Sequence, residues 1–148
     1  MADTAHVVLA EAMEGTAADA GCVLSPDKDF WRVVAGSGLR DGERRLKVDE
    51  KHWLIRELIG AHHAIVVLDS DVVRARMANA PLAHWPHLIA VPIGDTQCLI
   101  LLGRRGVPFS EADLGELADV AEEAAPLITA ALDVQRLARA LSDYCEWS

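Results

Sequence analysis

Residues 87–114 read "HLIAVPIGDTQCLILLGRRGVPFSEADL", and this stretch contains two apolar runs followed by a polar, acidic segment. Both runs have the composition of β-strands, and Gly94 with Asp95 between them forms a two-residue hairpin signal. Ser110 supplies a capping oxygen, and Asp113 adds negative charge to the first turn of a helix. The stretch therefore predicts a β-hairpin whose second strand leads into a helix.

The helix that begins at Ser110 is predicted to extend over about 110–142 and to carry two apolar faces. One face repeats in alternating steps of four and three residues, as in paired helices: Val120, Ala124, Leu127, Ala131, Val134, Ala138 and Leu141. The neighbouring face holds Leu114, Leu117, Ala121, Ile128 and Leu132. Two faces need two partners, so we expect a dimer interface at Val120, Leu127, Val134 and Leu141. The alternative is one broad stripe packed only on the domain's own sheet, and Pro126 predicts a kink.

The rest of the chain predicts alternating short elements within one domain of residues 1–148. Apolar spacing from Ala5 to Met13 predicts a first helix that ends near Gly15, with Asp3 and Thr4 as capping candidates. The next elements are a hairpin of "GCVLS" and "FWRVVAG" turning at Pro26, a strand in "RRLKVDE", a helix in "EKHWLIREL", a strand in "HAIVVLD" and a long connection.

Composition excludes several classes of partner. The chain has 148 residues and a formal net charge of -9, so its field repels phosphate backbones and anionic membrane surfaces. We expect no nucleic-acid partner, no membrane partner and a cytoplasmic location, because no apolar stretch approaches the roughly 20 residues of a membrane span. Cys22, Cys98 and Cys145 are odd in number and lack a CxxC pair, which argues against a disulfide framework and a cysteine-rich zinc site.

The order of these elements resembles the GAF domain family over essentially the whole chain. The most specific part is residues 87–132, where an apolar strand ends in proline and an apolar residue, a second strand ends in glycine, and a phenylalanine, a serine and acidic residues open the last helix. In residues 59–71, "IGAHHAIVVLDSD", a glycine precedes an apolar strand that ends in aspartate, as in that family.

The resemblance implies an α+β, profilin-like fold, with an antiparallel sheet, the first and last helices on one face and a ligand pocket on the other. Members of the family generally bind small molecules and signal rather than catalyse, and their terminal helix commonly pairs in a dimer and passes movement to an output domain. This is analogy at the level of fold, and function depends on the site.

By the same resemblance, the pocket wall is expected between about residues 47 and 92. The candidate ligand-binding residues there are Trp53, His63, Asp69, Asp71, Arg74, Trp85 and His87, a mixed aromatic and polar set suited to a planar ligand. Each has a structural alternative: Trp53 as core, Asp71 and Arg74 as a solvated pair, Asp69 as a strand end. Covalent bilin attachment is disfavoured, because this segment contains no cysteine.

Histidines and arginines offer two further interpretations. His84 and His87, with His62 or His63 and Asp69, form a metal site only if their segments converge, and we expect no metal. The "GRRG" stretch at 103–106 is expected to be a solvated turn, with an anion site as the alternative.

No nucleophile elbow, phosphate loop or pair of carboxylates stands out, so we expect a protein that is not an enzyme. The leading hypothesis is a bacterial-type sensory module in signal transduction. It binds an unknown small molecule non-covalently and forms a homodimer through its first and last helices, with an output domain or partner protein downstream. The alternatives are a ligand-free dimerisation or docking module, whose pocket is filled by Trp53 and Trp85, and a redox enzyme like the free methionine sulfoxide reductases, which requires a reactive Cys98.

Overall fold

The computed structural model describes residues 1–61, 65–67 and 75–147. Its helices are α1 (Ala2–Thr16), α2 (Trp53–Ala61) and α3 (Glu111–Trp147). Its strands are β1 (Ala20–Asp27), β2 (Phe30–Ser37), β3 (Lys47–Asp49), β4 (Ile65–Val67), β5 (His87–Pro92) and β6 (Leu99–Arg104). Short 3-10 helices lie at Glu43–Arg45 and Gly94–Thr96.

The strands form one sheet in the order β3-β2-β1-β6-β5-β4, and neighbouring strands are antiparallel. The first hairpin therefore joins the last along β1 and β6, where Cys22 lies opposite Leu101. Between β1 and β2 the register shifts, so that Val23 lies opposite Ala35 while Leu24 lies opposite Val33. The extra residue in β2 is a β-bulge, which bends the strand and increases its twist.

Both faces of the sheet are covered. Alternate residues of β6 point to opposite faces. Ile100 and Leu102 belong to the apolar cluster that includes residues of α1 and α3, while Leu99 and Leu101 belong to the cluster that includes residues of α2 and of the segment 77–85. We call these sides the helix face and the crossover face. The predicted α+β sheet with both terminal helices on one face is confirmed, and the unbroken apolar runs of β5 and β6 follow from burial on both sides.

Local details differ from the expectations at both hairpins. The first turn lies at Lys28 and Asp29 instead of at Pro26, which pairs with Trp31 inside the ladder. The two-residue turn predicted between β5 and β6 is also wrong, because the connection contains a 3-10 helix. Thr96 stabilises this wider turn: its hydroxyl donates to the Ile93 carbonyl (2.6 Å) and accepts from the Cys98 N–H (3.1 Å).

The two terminal helices begin differently. In α1, Asp3 and Thr4 lie within the first turn and provide no cap, so that prediction is wrong. In α3, the predicted Ser110 cap is confirmed, because the Asp113 N–H donates to the serine hydroxyl (3.3 Å) and the Ser110 N–H donates to the Asp113 carboxylate (2.8 Å). The helix is 37 residues long in total and continues through Pro126. In the described ranges, no helix is long and apolar enough to cross a membrane.

Candidate functional site

The structure brings two of the predicted ligand-binding residues into one cluster. Trp85 is buried (6% exposed) and Trp53 is half-buried, and both pack into the apolar cluster of the crossover face. His87 is half-buried at the start of β5, opposite Arg104 of β6. The other four candidates lie outside the described residues: His63, Asp69, Asp71 and Arg74.

Large side chains fill the described part of the crossover face. The largest fully buried ones include Leu24, Leu54, Leu58, Met77 and Leu82. Two tryptophans in this cluster differ in their polar contacts. The indole N–H of Trp31 donates to the Gln97 carbonyl (2.8 Å), whereas that of Trp85 is buried and has no acceptor in the described part of the chain.

Trp85 lies against the end of β6. A Cβ atom at Gly103 would be 3.0 Å from Cδ2 of the indole, which is closer than most Cβ contacts, so the glycine leaves room for this close approach of the ring. The guanidinium carbon of Arg105 lies 4.5 Å from the ring centroid, a distance typical of cation–π contacts. Sequence reasoning missed this pair, because the two residues are far apart in the chain and the "GRRG" pattern around Arg105 also fits a solvated turn.

A buried carboxylate connects the neighbouring loops. Glu43 is 9% exposed, and its oxygens accept hydrogen bonds from the backbone N–H groups of Leu82 (2.6 Å) and Arg40 (2.8 Å). His84 lies next to these hydrogen bonds. Partial burial lowers its pKa, the positive charges of Arg40 and Arg105 lower it further, and the negative charge of Glu43 raises it in part. The loop at 82–85, the loop at 40–43 and the end of β6 therefore converge.

Arg104 points to the helix face and is not a solvated turn residue. Its guanidinium lies 3.3 Å from the Asp113 carboxylate, stacks over the Phe109 ring at 4.3 Å and donates to the Thr16 carbonyl. Burial alone would raise the pKa of Asp113, but the hydrogen bonds from Ser110 and Arg104 outweigh it and hold that pKa below its ordinary value. The expectation of a solvated turn is therefore wrong for this arginine, because its contacts join three elements.

The two cysteines that the structure describes as free are buried. Burial, with a smaller effect of Glu43, raises the pKa of Cys22 to about 12. Burial also raises the pKa of Cys98, whose thiol lies 3.6 Å from the Ser25 hydroxyl. Cys22 lies in β1 as expected, whereas Cys98 precedes β6 instead of lying within it. Neither thiol has the lowered pKa of a reactive cysteine.

An open groove of about 1030 Å³ lies between the β1–β2 hairpin, the β5–β6 turn and the second half of α3. Its charged walls hold the ion pairs Asp27–Arg32 (3.9 Å) and Asp133–Arg136 (3.6 Å). This groove is separate from the crossover face, where the resemblance implied a pocket. Within the described ranges, no group of three or more histidine, cysteine or acidic residues is placed to hold a metal ion.

The second half of α3 carries an exposed apolar stripe. Its members are at least 56% exposed: Leu127, Val134, Leu137, Leu141 and Tyr144. Val120, predicted for the same interface, is only 8% exposed and packs in the core of the helix face. Val120 therefore has little surface to offer a partner, while the neighbouring apolar face containing Leu117 and Ile128 is buried in that core as expected.

Comparison with known proteins identifies the architecture. No protein-family model matches the sequence, and no curated protein matches it. Among solved structures, the GAF domain of an Acinetobacter phosphoenolpyruvate-protein phosphotransferase superposes with a TM-score of 0.73 at 15% identity, covering 90% of this chain and 84% of that one. The second GAF domain of DevS from Mycobacterium smegmatis gives 0.70 at 18% identity, covering 92% and 98%.

A third similar structure is an enzyme. The type II free methionine-R-sulfoxide reductase from Thermoplasma acidophilum superposes with a TM-score of 0.68 at 15% identity, covering 86% of this chain and 91% of that one. At identities this low, the similarity establishes a shared architecture and carries no information about shared chemistry. The chain has the fold of GAF domains.

Proposed function

We propose that this chain is a regulatory domain of the GAF type that forms a homodimer through the exposed stripe of α3 and binds a small molecule non-covalently on the crossover face. The similar GAF domains come from a phosphotransferase and from DevS. By analogy, this domain passes a change in its helix packing to an output domain or partner protein.

The observation that carries the proposal is the exposed stripe itself. Leu127, Val134 and Leu141 are seven residues apart, and Leu137 and Tyr144 each follow by three, which matches the a and d positions of a coiled coil. All five side chains lie on α3 beyond most of the residues that contact the sheet. Contiguous exposed apolar surface is typical of interfaces, and a second copy presents the same stripe to it.

Ligand binding is supported by the buried indole N–H of Trp85, which has no acceptor among the described residues. Leaving a buried donor unpaired costs about 1–3 kcal/mol, so an acceptor atom on a ligand, or an ordered water, stabilises this arrangement. The contrary observation is the dense packing around Trp31, Leu58 and Met77. It favours the second candidate, a ligand-free dimerisation module.

The redox alternative has less support. A reductase of this kind needs a thiolate, and burial raises the pKa of both Cys22 and Cys98. We therefore propose a non-catalytic role, although one structurally similar protein is a methionine sulfoxide reductase.

Native mass spectrometry of the purified chain tests both parts together. The expected result is a dimer that carries an additional mass, which is released on denaturation. A dimer without additional mass favours the ligand-free module, and a monomer contradicts the pairing of α3.

A matched pair of variants tests the stripe. Val134→Glu places a charge in the proposed interface and should raise the dimer dissociation constant at least about tenfold, because an unpaired buried charge is costly. Val107→Glu is the control, because Val107 (64% exposed) matches Val134 (68%) in exposure but lies in the loop before α3. Equal effects of the two variants would contradict the proposed interface.

A further inference from the structure

The four residues Arg40, His84, Trp85 and Arg105 form what we call the basic corner, at the edge of the crossover face. We propose that the basic corner binds the anionic group, a carboxylate or a phosphate, of a small molecule. This inference rests on the proposed ligand-binding function and specifies the chemistry of the ligand.

The first support is convergence of three separate segments. Arg105 follows β6 and stacks over Trp85 at 4.5 Å, and the His84 ring lies 6.2 Å from the same indole. The Glu43 carboxylate connects the loop at 40–43 to the loop at 82–85, because it accepts hydrogen bonds from the backbone N–H groups of Arg40 and Leu82. Stacking restricts the orientation of the guanidinium, which reduces the conformational entropy lost when it binds an anion.

The second support is charge. The chain carries a net charge of -9, yet two exposed arginines and an exposed histidine meet here. In the part of the chain that the structure describes, the guanidinium groups of Arg40 and Arg105 have no carboxylate within ion-pair distance. Two acids lie nearby and keep their negative charge, which offsets part of the positive charge of the arginines: Glu43 accepts the backbone hydrogen bonds described above, and Asp19 accepts one from the N–H of Arg105 (2.9 Å).

The third support is the indole N–H of Trp85, which is buried and has no acceptor among the described residues. An aromatic ring, an indole donor to which the described residues offer no acceptor, and two guanidinium groups together suit a ligand that has both an acceptor atom and an anionic group. The exposed guanidinium groups attract an anionic ligand from solution before close contact forms.

Titration of the full chain with inorganic phosphate, and separately with succinate, at constant ionic strength tests the inference. The readout is the ¹H–¹⁵N NMR spectrum, in which the indole resonance of Trp85 is assigned with Trp85→Phe. We expect saturable shifts of that resonance and of the Arg105 amide with at least one anion. Saturation by phosphate alone indicates a phosphorylated ligand, and saturation by succinate alone indicates a carboxylate. No saturable shift with either anion overturns the inference.

Charge variants make the assignment specific. Arg105→Gln should weaken binding about tenfold, because it removes a charge-assisted hydrogen bond, and Arg105→Lys should recover part of the loss. Arg45→Gln removes the same charge from the exposed 3-10 helix at Glu43–Arg45 and is the control. Equal weakening by Arg45→Gln would indicate a general effect of net charge and overturn the site.

The pKa of His84 gives an independent readout. The charged groups that face it are Arg40, Arg105 and Glu43, and an anion bound beside the imidazole favours its protonated form. Saturation should therefore raise the pKa of His84, and an unchanged pKa overturns the proposed position. The two experiments can fail independently. If native mass spectrometry releases a neutral molecule from the dimer, only the anionic chemistry of the ligand is overturned. If the chain is purified without a ligand but the basic corner binds phosphate or succinate saturably, the anion site alone is supported.

Discussion

The guanidinium of Arg104 lies 3.3 Å from the carboxylate of Asp113, and both groups are largely buried, with 11% and 18% of their side chains exposed. The same arginine donates to the carbonyl of Thr16, the last residue of α1. One side chain therefore connects the end of β6 to the start of α3 and the end of α1. Any movement of the terminal helices relative to the sheet has to break or carry these contacts.

Replacing Asp113 should make the chain less stable at neutral pH and remove one source of acid sensitivity. Asp113→Asn loses the ion pair and the negative charge at the helix N-terminus, so we expect a loss of about 1 kcal/mol in the free energy of unfolding at pH 7. Because the folded-state pKa of Asp113 is lowered below its ordinary value, the stabilisation by the charged carboxylate is fully present above the unfolded-state pKa and disappears as the pH falls through the folded-state pKa.

Urea unfolding of both proteins between pH 7 and pH 2 measures this difference. The gap between the two free energies should begin to narrow at about pH 4, the unfolded-state pKa of aspartate, and should close only below the lower folded-state pKa of Asp113. Asp119→Asn removes an exposed acid from the same helix and serves as the control. A gap that is independent of pH would show that the charge of Asp113 is not responsible.

Gly103 should not tolerate a side chain, because Trp85 occupies the space. A Cβ atom there meets the indole at 3.0 Å, so Gly103→Ala should destabilise the fold by about 1–3 kcal/mol, as overpacking does. Gly115→Ala is the control: it has open space around it inside α3, and removing a helical glycine should stabilise by up to about 1 kcal/mol. Thermal unfolding measures both effects. A melting temperature that rises in both variants would contradict the close packing of Trp85 against Gly103.

Glu43 should hold the loop at residue 82 in place. Glu43→Ala leaves two backbone donors, on Leu82 and Arg40, without their acceptor, which should cost about 2–3 kcal/mol for a pair this buried. Hydrogen exchange at the Leu82 amide should accelerate more than the global loss of stability explains. Glu50→Gln alters an exposed acid after β3 and should leave that amide unchanged. Unchanged exchange in Glu43→Ala would show that the carboxylate does not hold the loop.

Elements whose signals are local could be predicted from the sequence. Strand β6 could be predicted because its burial on both faces produces an unbroken apolar run. The start of α3 could be predicted because the cap formed by Ser110 and Asp113 acts within a few residues. The prediction of a two-residue turn before Leu99 was wrong, because the connection is longer and closes around the Thr96 hydroxyl, which bonds to the Ile93 carbonyl and the Cys98 N–H. The α1 cap was wrong because the helix begins before Asp3.

The candidate site depended on long-range contacts that spacing does not encode. Glu43 and Leu82 are 39 residues apart, and nothing in either segment indicates that they meet. Arg104 and Arg105 are adjacent and chemically identical, yet alternation along the end of β6 sends them to opposite faces, one to Phe109 and the other to Trp85. The roles proposed for His63, Asp69, Asp71 and Arg74 stay predictions.

Cysteine reactivity decides between a binding module and a redox enzyme. With the pKa of Cys22 raised to about 12 and that of Cys98 also raised, both thiols should remain protonated at pH 8 and react slowly with iodoacetamide. The measurement is intact mass after alkylation, in a Cys145→Ser background so that only these two thiols report. We expect no label on the folded chain and full labelling in urea. Rapid labelling of Cys98 in the folded chain would contradict the raised pKa and favour the reductase alternative, which Cys98→Ser would then test by loss of methionine sulfoxide reduction.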